Sequence, residues 1–279
     1  MAPKLSIKQW VLSHTILLLL LFLCMQQLFV FTNHNLSVSV LNVGQGDSIL
    51  IQTPEHKNIL FDAGEGSRVI DQLGDKINFF NQSIDLAIIT HPHRDHFGGF
   101  LEVLQKYPIK QIMLTGVVSN DPMYSALLNK VQTLNIPIIF PKNNQDIQIG
   151  NNAYLDIIYP FASQSLIGQD VKNKNNTSIV TKLIVDNQSQ ILLTGDAEHE
   201  LEREILLSGQ DIQSPILKLG HHGSRTATSD DFLSAINPQT TIISAGFDNK
   251  FDHPHEETME KITEFEIFQT INGTVEFNF

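Results

Sequence analysis

Most of the histidines stand in three short clusters, and this clustering is the pattern in the chain that most directly predicts chemistry. The first cluster, His91-Pro92-His93-Arg94-Asp95-His96, holds three imidazoles and a carboxylate, and the other two are His221-His222 and His253-Pro254-His255. Imidazole nitrogens and carboxylate oxygens are ligands of Zn²⁺, with Mn²⁺ and Fe as alternatives. A single histidine would be interpreted as part of a solvated loop, but three within one turn between a strand and a helix favour a metal site.

One carboxylate further along the chain has two interpretations. Asp196 follows an apolar strand predicted at 190–194. An aspartate in this position is typical of a helix N-cap, and Glu198 two residues later fits that interpretation. The alternative is that the Asp196 carboxylate bridges two metals held by the first histidine cluster. The neighbours of Asp196 in the sequence leave both alternatives open.

Strands and helices alternate through the rest of the chain and would bring these residues together. Strands are predicted at 36–43, 48–53, 58–61, 85–90, 110–114, 137–140, 154–159, 179–185, 190–194, 215–219, 240–244, 267–271 and 274–277, and helices at 97–106, 122–134, 198–207, 229–236 and 256–265. The first two histidine clusters and Asp196 each stand where a predicted strand ends, and loops at one sheet edge converge in open α/β architectures. Mixed sheets packed face to face, with helices outside, would satisfy this order.

These motifs together resemble the metallo-β-lactamase superfamily, over roughly residues 36–279. The residues that carry the resemblance are Asp62-Ala63-Gly64, the H-x-H-x-D-H run from His91 to His96, Thr194-Gly195-Asp196 and His221. Further motifs are similar to the hydrolase domain of ComEC-type competence proteins, namely Val43 to Ser48, Asn176-Thr177-Ser178, Lys218 to Ser224 and His253 to His255. The resemblance implies an α/β fold, a four-layer αββα sandwich, and a metal-dependent hydrolase with a binuclear centre.

The resemblance also implies roles for individual residues around two divalent metals, Zn²⁺ or Mn²⁺. His91 and His93 would hold the first metal, Asp95 and His96 the second, and Asp196 would bridge them. Asp62 would fix a ligand through hydrogen bonds, and His221 would be the last ligand, in competition with His255. The superfamily supplies one more histidine to the first metal, but this chain has none between His96 and His199. The first metal would therefore be weakly bound, completed by water, or absent.

Four residues are predicted to act on the substrate. Asp95 would orient or deprotonate the attacking hydroxide, and His255 or His253 would protonate the leaving group or contact a phosphate. The Ser224 hydroxyl would hold a phosphate oxygen, with an ordinary turn hydroxyl as the equal alternative.

The N-terminus is predicted to be a membrane anchor. The run from Trp10 to Phe31 is long enough to span a bilayer, and Lys4 and Lys8 precede it. No small-residue cleavage site follows the run, which disfavours a cleaved signal peptide. The positive-inside tendency then places the N-terminus in the cytoplasm. We therefore expect a single-pass protein of the cell membrane, with the anchor in residues 1–32 and an extracytoplasmic hydrolase domain in residues 33–279.

Composition restricts the substrate classes. One cysteine excludes an internal disulfide and a thiolate zinc site, and the net charge of −12 becomes −14 once residues 1–32 are set aside. The resemblance favours a phosphodiesterase or nuclease that acts on single-stranded DNA during uptake. The acidity disfavours broad nucleic-acid binding and so favours the alternative of a small phosphodiester, ester or lactone. The missing histidine also leaves open a metal-depleted binding or scaffold domain.

Overall fold

The N-terminal unit is one apolar helix. The computed structural model describes residues 6–31, 35–79, 81–143 and 145–279, and the chain divides after Asn35 into two units. Helix α1 (Ile7–Phe31) includes a 20-residue stretch, Ile7–Gln26, with a mean hydropathy of 1.8, long and apolar enough to cross a membrane. The predicted boundary at residue 32, and Lys4, lie outside the described residues. The membrane orientation stays a prediction.

The second unit, from Leu36 onward, alternates strands with helices. Its elements, in chain order, are β1 (Ser37–Val40), β2 (Ile49–Gln52), β3 (Asn58–Phe61), α2 (Arg68–Lys76), β4 (Leu86–Ile89), α3 (Arg94–Phe97), α4 (Phe100–Lys106), β5 (Ile112–Leu114), α5 (Pro122–Thr133), β6 (Ile138–Ile139), β7 (Ile147–Gln148), β8 (Ala153–Tyr159), β9 (Val180–Val185), β10 (Gln188–Leu193), α6 (His199–Ser208), β11 (Ile216–Lys218), α7 (Asp230–Ile236), β12 (Thr240–Ile243), α8 (Glu256–Lys261), β13 (Glu266–Gln269) and β14 (Val275–Asn278). Short 3₁₀ turns lie at Asn175–Thr177, Gly220–Gly223 and Thr270–Asn272.

Within the described residues, the strands form two mixed sheets of seven strands each. The first has the order β14-β1-β2-β3-β4-β5-β6 and the second β13-β12-β11-β10-β9-β8-β7. In each sheet an antiparallel hairpin leads into parallel strands, β3-β4-β5 in the first sheet and β10-β11-β12 in the second. The last strand returns to the first sheet, where β14 pairs with β1.

Side-chain alternation along the strands explains why the sheets stack. In β3, Ile59 and Phe61 belong to the apolar core shared by strands of both sheets, whereas Leu60 points to the other face and joins the core beneath the first helices. Successive strand residues face opposite sides, so both faces of each sheet are buried. A third apolar core lies between the second sheet and helices α6 and α7. The predicted αββα sandwich is thus confirmed.

Several elements and boundaries differ from the sequence prediction: α3 was not predicted, and α8 ends at Lys261 instead of residue 265. Helix α2, which buries only Val69 and Leu73, and the two-residue strand β7 were not predicted. The helix predicted at 97–106 corresponds to α4, which begins only at Phe100, because Gly98 and Gly99 separate it from α3. A Cβ atom on Gly99 would lie 2.1 Å from the Ala63 carbonyl oxygen, so the close approach of the loop after β3 requires glycine there.

Candidate metal centre

Loops at the carboxyl ends of the parallel strands meet at one edge of the two sheets. Asp62 follows β3, His91 follows β4 after Thr90, Asp196 follows β10, and His222 follows β11. Ring and carboxylate contacts join residues from all four loops. The convergence expected from the positions of the motifs is therefore present.

A buried group of four side chains, Asp47, His96, Asp196 and His222, is the centre of this region and is called the buried quartet below. One ligand atom from each lies within 4.8 Å of the others, a suitable spacing for a shared metal ion. Four of their polar atoms are buried without a hydrogen-bond partner among the described residues: Asp47 Oδ1, His96 Nε2, Asp196 Oδ1 and His222 Nε2. Buried polar atoms without partners are costly, and a bound cation would satisfy them. The donor set, nitrogen and oxygen without sulfur, fits Zn²⁺ or Mn²⁺.

Hydrogen bonds from the Nδ1 atoms of His96 and His222 orient these two imidazoles of the buried quartet, so that their Nε2 atoms point toward Asp196. His96 Nδ1 donates to Asp62 Oδ2 at 2.7 Å, and Asp62 also accepts from the backbone N–H of Thr90 at 2.9 Å. His222 Nδ1 donates to the Ser244 carbonyl oxygen at 2.9 Å. Such partners fix the tautomer and the orientation of a metal-binding imidazole. Asp62 is thus in the supporting position that the sequence predicted.

The ligand set predicted for the second metal gathers around Asp196. Asp196 Oδ2 lies 3.2 Å from His96 Nε2 and 3.4 Å from His222 Nε2, and Asp95 Oδ2 lies 3.3 Å from His222 Nε2. The expectation that Asp196 is a helix cap is wrong, because helix α6 is capped at Glu198. For the last ligand, the structure places His222 in the buried quartet, whereas the predicted His221 stands at its edge, with Nε2 3.9 Å from Asp196 Oδ2; the role of His221 as a ligand stays a prediction.

His91 and His93 form a second, incomplete group of ligand atoms beside Asp196. His91 Nε2 is 3.0 Å from His93 Nδ1 and 3.7 Å from Asp196 Oδ2. His91 Nδ1 is 3.2 Å from the Ser178 hydroxyl, which also accepts from the Asp196 backbone N–H at 3.0 Å. These contacts fit a first metal held by His91, His93 and Asp196, and that assignment stays a prediction.

In the buried quartet, burial and the charges of neighbouring residues shift the pKa values in opposite directions. Burial alone raises the pKa of Asp196, but the charges of His222 and His96 outweigh it and hold that pKa well below its usual range. Burial likewise lowers the pKa of His96 and His222, but Asp196 raises both well above the usual value. The pKa of His91, by contrast, is held well below its usual value by burial and by the neighbouring His96. Metal binding to the buried quartet therefore releases protons.

Asp47 connects the metal centre to the loop between β1 and β2. Its carboxylate pairs with the ammonium of Lys218, and both side chains are fully buried. Burial raises the pKa of Asp47, but Lys218 and His222 lower it below its usual value. The Asp47 N–H donates to the Asp95 carbonyl oxygen at 3.2 Å, and a Cβ atom on Gly46 would lie 2.0 Å from that oxygen. The loop thus holds the backbone that presents Asp95.

Substitution of Lys218 by methionine should lower the free energy of unfolding by about 3–5 kcal/mol, because it leaves the Asp47 carboxylate buried without its partner. Chemical denaturation of the full chain in detergent would measure the change. Lys110→Met is a matched control, since Lys110 pairs with Asp85 at 2.6 Å but has a side chain 61% exposed, and exposed pairs contribute about 0–1 kcal/mol. Equal effects of the two substitutions would contradict the prediction.

A cleft of about 360 Å³ opens over the metal centre. Its lining includes His93, Asp95, Asp196, His221 and His222. Further lining residues are Gln45, Pro92, Arg94, Ser119, Asp121, Lys174, Asn175, Phe251 and His253. The candidate metal ligands are thus accessible from solvent on one side, as a hydrolytic site requires.

The three other residues predicted to act on the substrate, His253, His255 and Ser224, lie in different surroundings. His253 lines the cleft, and burial together with the nearby His222 lowers its pKa to about 4, so it is neutral at pH 7 and a poor proton donor. His255 is not among the lining residues, and its Nδ1 accepts a hydrogen bond from the Arg225 N–H at 3.1 Å. Ser224 is buried, and its hydroxyl contacts Thr226 Oγ1 at 3.0 Å. Of its two interpretations, Ser224 fits the turn hydroxyl.

A histidine–glutamate pair at the cleft was not predicted. His221 Nδ1 lies 3.0 Å from Glu198 Oε1. Glu198 also accepts from Thr226 Oγ1 at 2.7 Å and from Asn173 Nδ2 at 2.6 Å. Burial raises the pKa of Glu198, but these hydrogen bonds, led by that of His221, lower it to about 2. The carboxylate is therefore ionised and orients the His221 ring at the cleft.

Three further residues of the site escaped the sequence prediction. Asp47 lies between the strands predicted at 36–43 and 48–53 and was given no role, although its Gly-x-Gly-Asp context was an available signal. His222 stood beside the favoured His221. Asn175, whose Oδ1 is buried without a hydrogen-bond partner among the described residues, lines the cleft in the segment where the missing histidine was expected.

Comparison with known proteins finds a family model that matches part of the chain and two similar proteins. Residues 41–147 match the Metallo-beta-lactamase superfamily. ComE operon protein 3 of Bacillus subtilis is 28% identical over 262 residues, covering 87% of this chain and 33% of that protein. Competence protein ComA of Neisseria gonorrhoeae is 25% identical over 230 residues, covering 81% of this chain and 29% of that protein. The chain therefore spans about a third of the length of these relatives.

A solved structure shares the fold. Igni18, a metallo hydrolase from Ignicoccus hospitalis, aligns with a TM-score of 0.52 at 14% identity, covering 87% of this chain and 99% of Igni18. At this identity the likeness concerns the fold alone.

Proposed function

We propose that this metal-dependent hydrolase of the metallo-beta-lactamase superfamily cleaves phosphodiester bonds of single-stranded DNA on the outer side of a membrane. The observation that carries the proposal is the open cleft over the buried quartet, with two cationic side chains, Arg94 and Lys174, in its lining. Similarity to a competence protein along most of the chain supports DNA as the substrate. Helix α1, together with Lys4 and Lys8, which precede the apolar run from Trp10 in the sequence, supports the membrane location.

The residues of the cleft have different roles in the proposed hydrolysis. Divalent metals, when bound, supply an activated water and stabilise the charge that develops on the phosphate. His96, His222, Asp95 and Asp196 would hold the second of them. Asp95 also presents a carboxylate to the cleft and is placed to orient the attacking water. His221, oriented by Glu198, is placed to donate a proton to the leaving oxygen.

A small phosphodiester is the second candidate substrate, and the pairing of the cleft cations favours it. Arg94 Nε donates to Asp121 Oδ2 at 2.6 Å, and Lys174 Nζ lies 3.5 Å from Asp170 Oδ1. Both cations thus have a carboxylate partner and offer less charge to a long phosphate backbone.

The test is hydrolysis by the full chain in detergent with added Mn²⁺ or Zn²⁺. A short single-stranded oligonucleotide and bis-p-nitrophenyl phosphate are the two substrates, and EDTA provides the control without metal. We expect metal-dependent cleavage of both. Cleavage of the small diester alone would replace the DNA substrate by the second candidate, and cleavage of neither would reject the phosphodiesterase.

A further inference from the structure

Two exposed phenylalanines lie in one loop, the second of them at the metal cleft, and are called the aromatic shelf below. Phe247 and Phe251 lie in the loop between β12 and α8, and their exposed fractions are 76% and 46%. Phe251 also lines the cleft, together with Asp196 and His93. Exposed apolar surface beside a cleft is a place where an apolar face of a ligand can bind.

The shelf is held in place before any ligand binds. The Phe251 ring stacks on the His253 ring, with centroids 5.6 Å apart and planes inclined by 22°. Asn249 fixes the loop between them: its Oδ1 accepts from the N–H groups of Phe251 at 3.2 Å and of His253 at 3.0 Å, and its Nδ2 donates to the Gly246 carbonyl oxygen at 2.9 Å. An aromatic plane ordered in this way loses little entropy when a flat ligand stacks on it.

The ammonium group of Lys250 lies close to the Phe251 ring. Lys250 Nζ lies 4.8 Å from the centroid of the Phe251 ring, a cation–π contact at the surface. Within the part of the chain that the structure describes, no ion pair is found for Lys250. A cation–π contact in water is weaker than the stacking of a nucleobase on an aromatic ring. An incoming base would therefore displace the ammonium, which would remain beside it.

We propose that Phe251, supported by His253, stacks against a nucleobase of a single-stranded nucleic acid while an adjacent phosphodiester occupies the metal cleft. Lys250, displaced from the ring, contacts the neighbouring phosphate. This inference rests on the proposed phosphodiesterase function and specifies its substrate as a strand with unpaired bases. Every base has a π-face, so the contact tolerates any sequence.

The shelf also resolves the conflict between an acidic domain and a polyanionic substrate. Residues 33–279 carry a net charge of −14, and Arg94, Lys174 and Arg225 are paired with carboxylates. Affinity from many lysine–phosphate contacts is therefore not available. Stacking needs no charge, so binding should depend weakly on salt, with a log–log slope of about −1, the value for one or two phosphate contacts on a single strand.

The experiment measures binding of the full chain in detergent to two fluorescent oligonucleotides by anisotropy. One is a short oligothymidylate with a phosphorothioate backbone, which resists hydrolysis, and the other has the same backbone with abasic positions throughout. Both are titrated with Mn²⁺ present. We expect wild type to bind the oligothymidylate roughly tenfold more tightly than the abasic strand. Phe251→Ala should abolish that difference, and Phe251→Trp should restore it.

Leu207→Ala is the matched control, because Leu207 is a 77% exposed apolar residue of α6 that does not line the cleft. It should leave both affinities unchanged. Equal wild-type affinity for the two strands, or no binding of either, would overturn the inference, as would an unchanged preference in Phe251→Ala. If wild type hydrolyses oligonucleotides but Phe251→Ala keeps the preference, only the inference fails. If no diester is hydrolysed but the preference depends on Phe251, the proposed function fails and the base-binding site stands.

Discussion

Substitution of Asp196 by asparagine should lower metal-dependent hydrolysis by about 10²–10³-fold or more, the scale for loss of one preorganised charged group. Asp196 Oδ2 lies within 4 Å of the imidazoles of His91, His96, His221 and His222. Asparagine keeps the shape of the side chain but removes the charge. A bridging role predicts that both metals are affected, so metal content should fall together with activity.

Elemental analysis after dialysis measures the metal content, and the initial rate on bis-p-nitrophenyl phosphate measures the activity. Asp231→Asn is the matched control, since Asp231 is exposed in the first turn of α7, away from the cleft. It should behave like wild type in both measurements. Near-normal turnover or metal content in Asp196→Asn would contradict the central position of Asp196. Far-UV circular dichroism separates loss of metal from loss of fold.

The sandwich and most of the site were predictable because their signals are local. The strand predicted at 58–61 coincides with β3, and its apolar run places Asp62 at the sheet edge. His91, His93, Asp95 and His96 stand within one turn of the sequence, so they lie close together whichever fold the rest of the chain adopts. Contacts between distant segments were not predictable in this way. Asp47 and Lys218 meet only after the two sheets have packed, and neither residue has a neighbour in the sequence that reveals the pair.

The choice between His221 and His222 depended on backbone conformation, which no sequence pattern records. Both residues adopt left-handed φ/ψ angles, with φ of 45° and 57°. Such angles are uncommon for residues other than glycine and cluster at functional sites. At these adjacent residues the chain aims His222 Nε2 into the buried quartet, while His221 turns toward Glu198. A conventional loop conformation would direct the two rings differently.

Substitution of His222 by asparagine should therefore weaken metal binding by more than about 100-fold, above the 10–100-fold effect of losing only a supporting partner. The same substitution at His221 should leave metal affinity close to that of wild type while it lowers hydrolysis, because it removes the proposed proton donor and keeps the ligands. Asparagine is chosen at both positions because it tolerates left-handed angles, so the two variants carry the same backbone cost. Calorimetric titration with Mn²⁺ measures affinity, and the rate at saturating metal measures hydrolysis.

Comparison of the two variants shows whether His222 or His221 is the last metal ligand. His222 is fully buried and donates from Nδ1 to Ser244, so only its Nε2 is free to bind a metal. His221 is fixed through Nδ1 by Glu198 in the same way, and its Nε2 also faces Asp196, but from 3.9 Å and from a ring that is 23% exposed. Loss of metal in His221→Asn with retention in His222→Asn would restore His221 as the last ligand. Loss in both would mean that the two imidazoles serve different metals, with His221 completing the site of His91 and His93 that lacks its usual histidine.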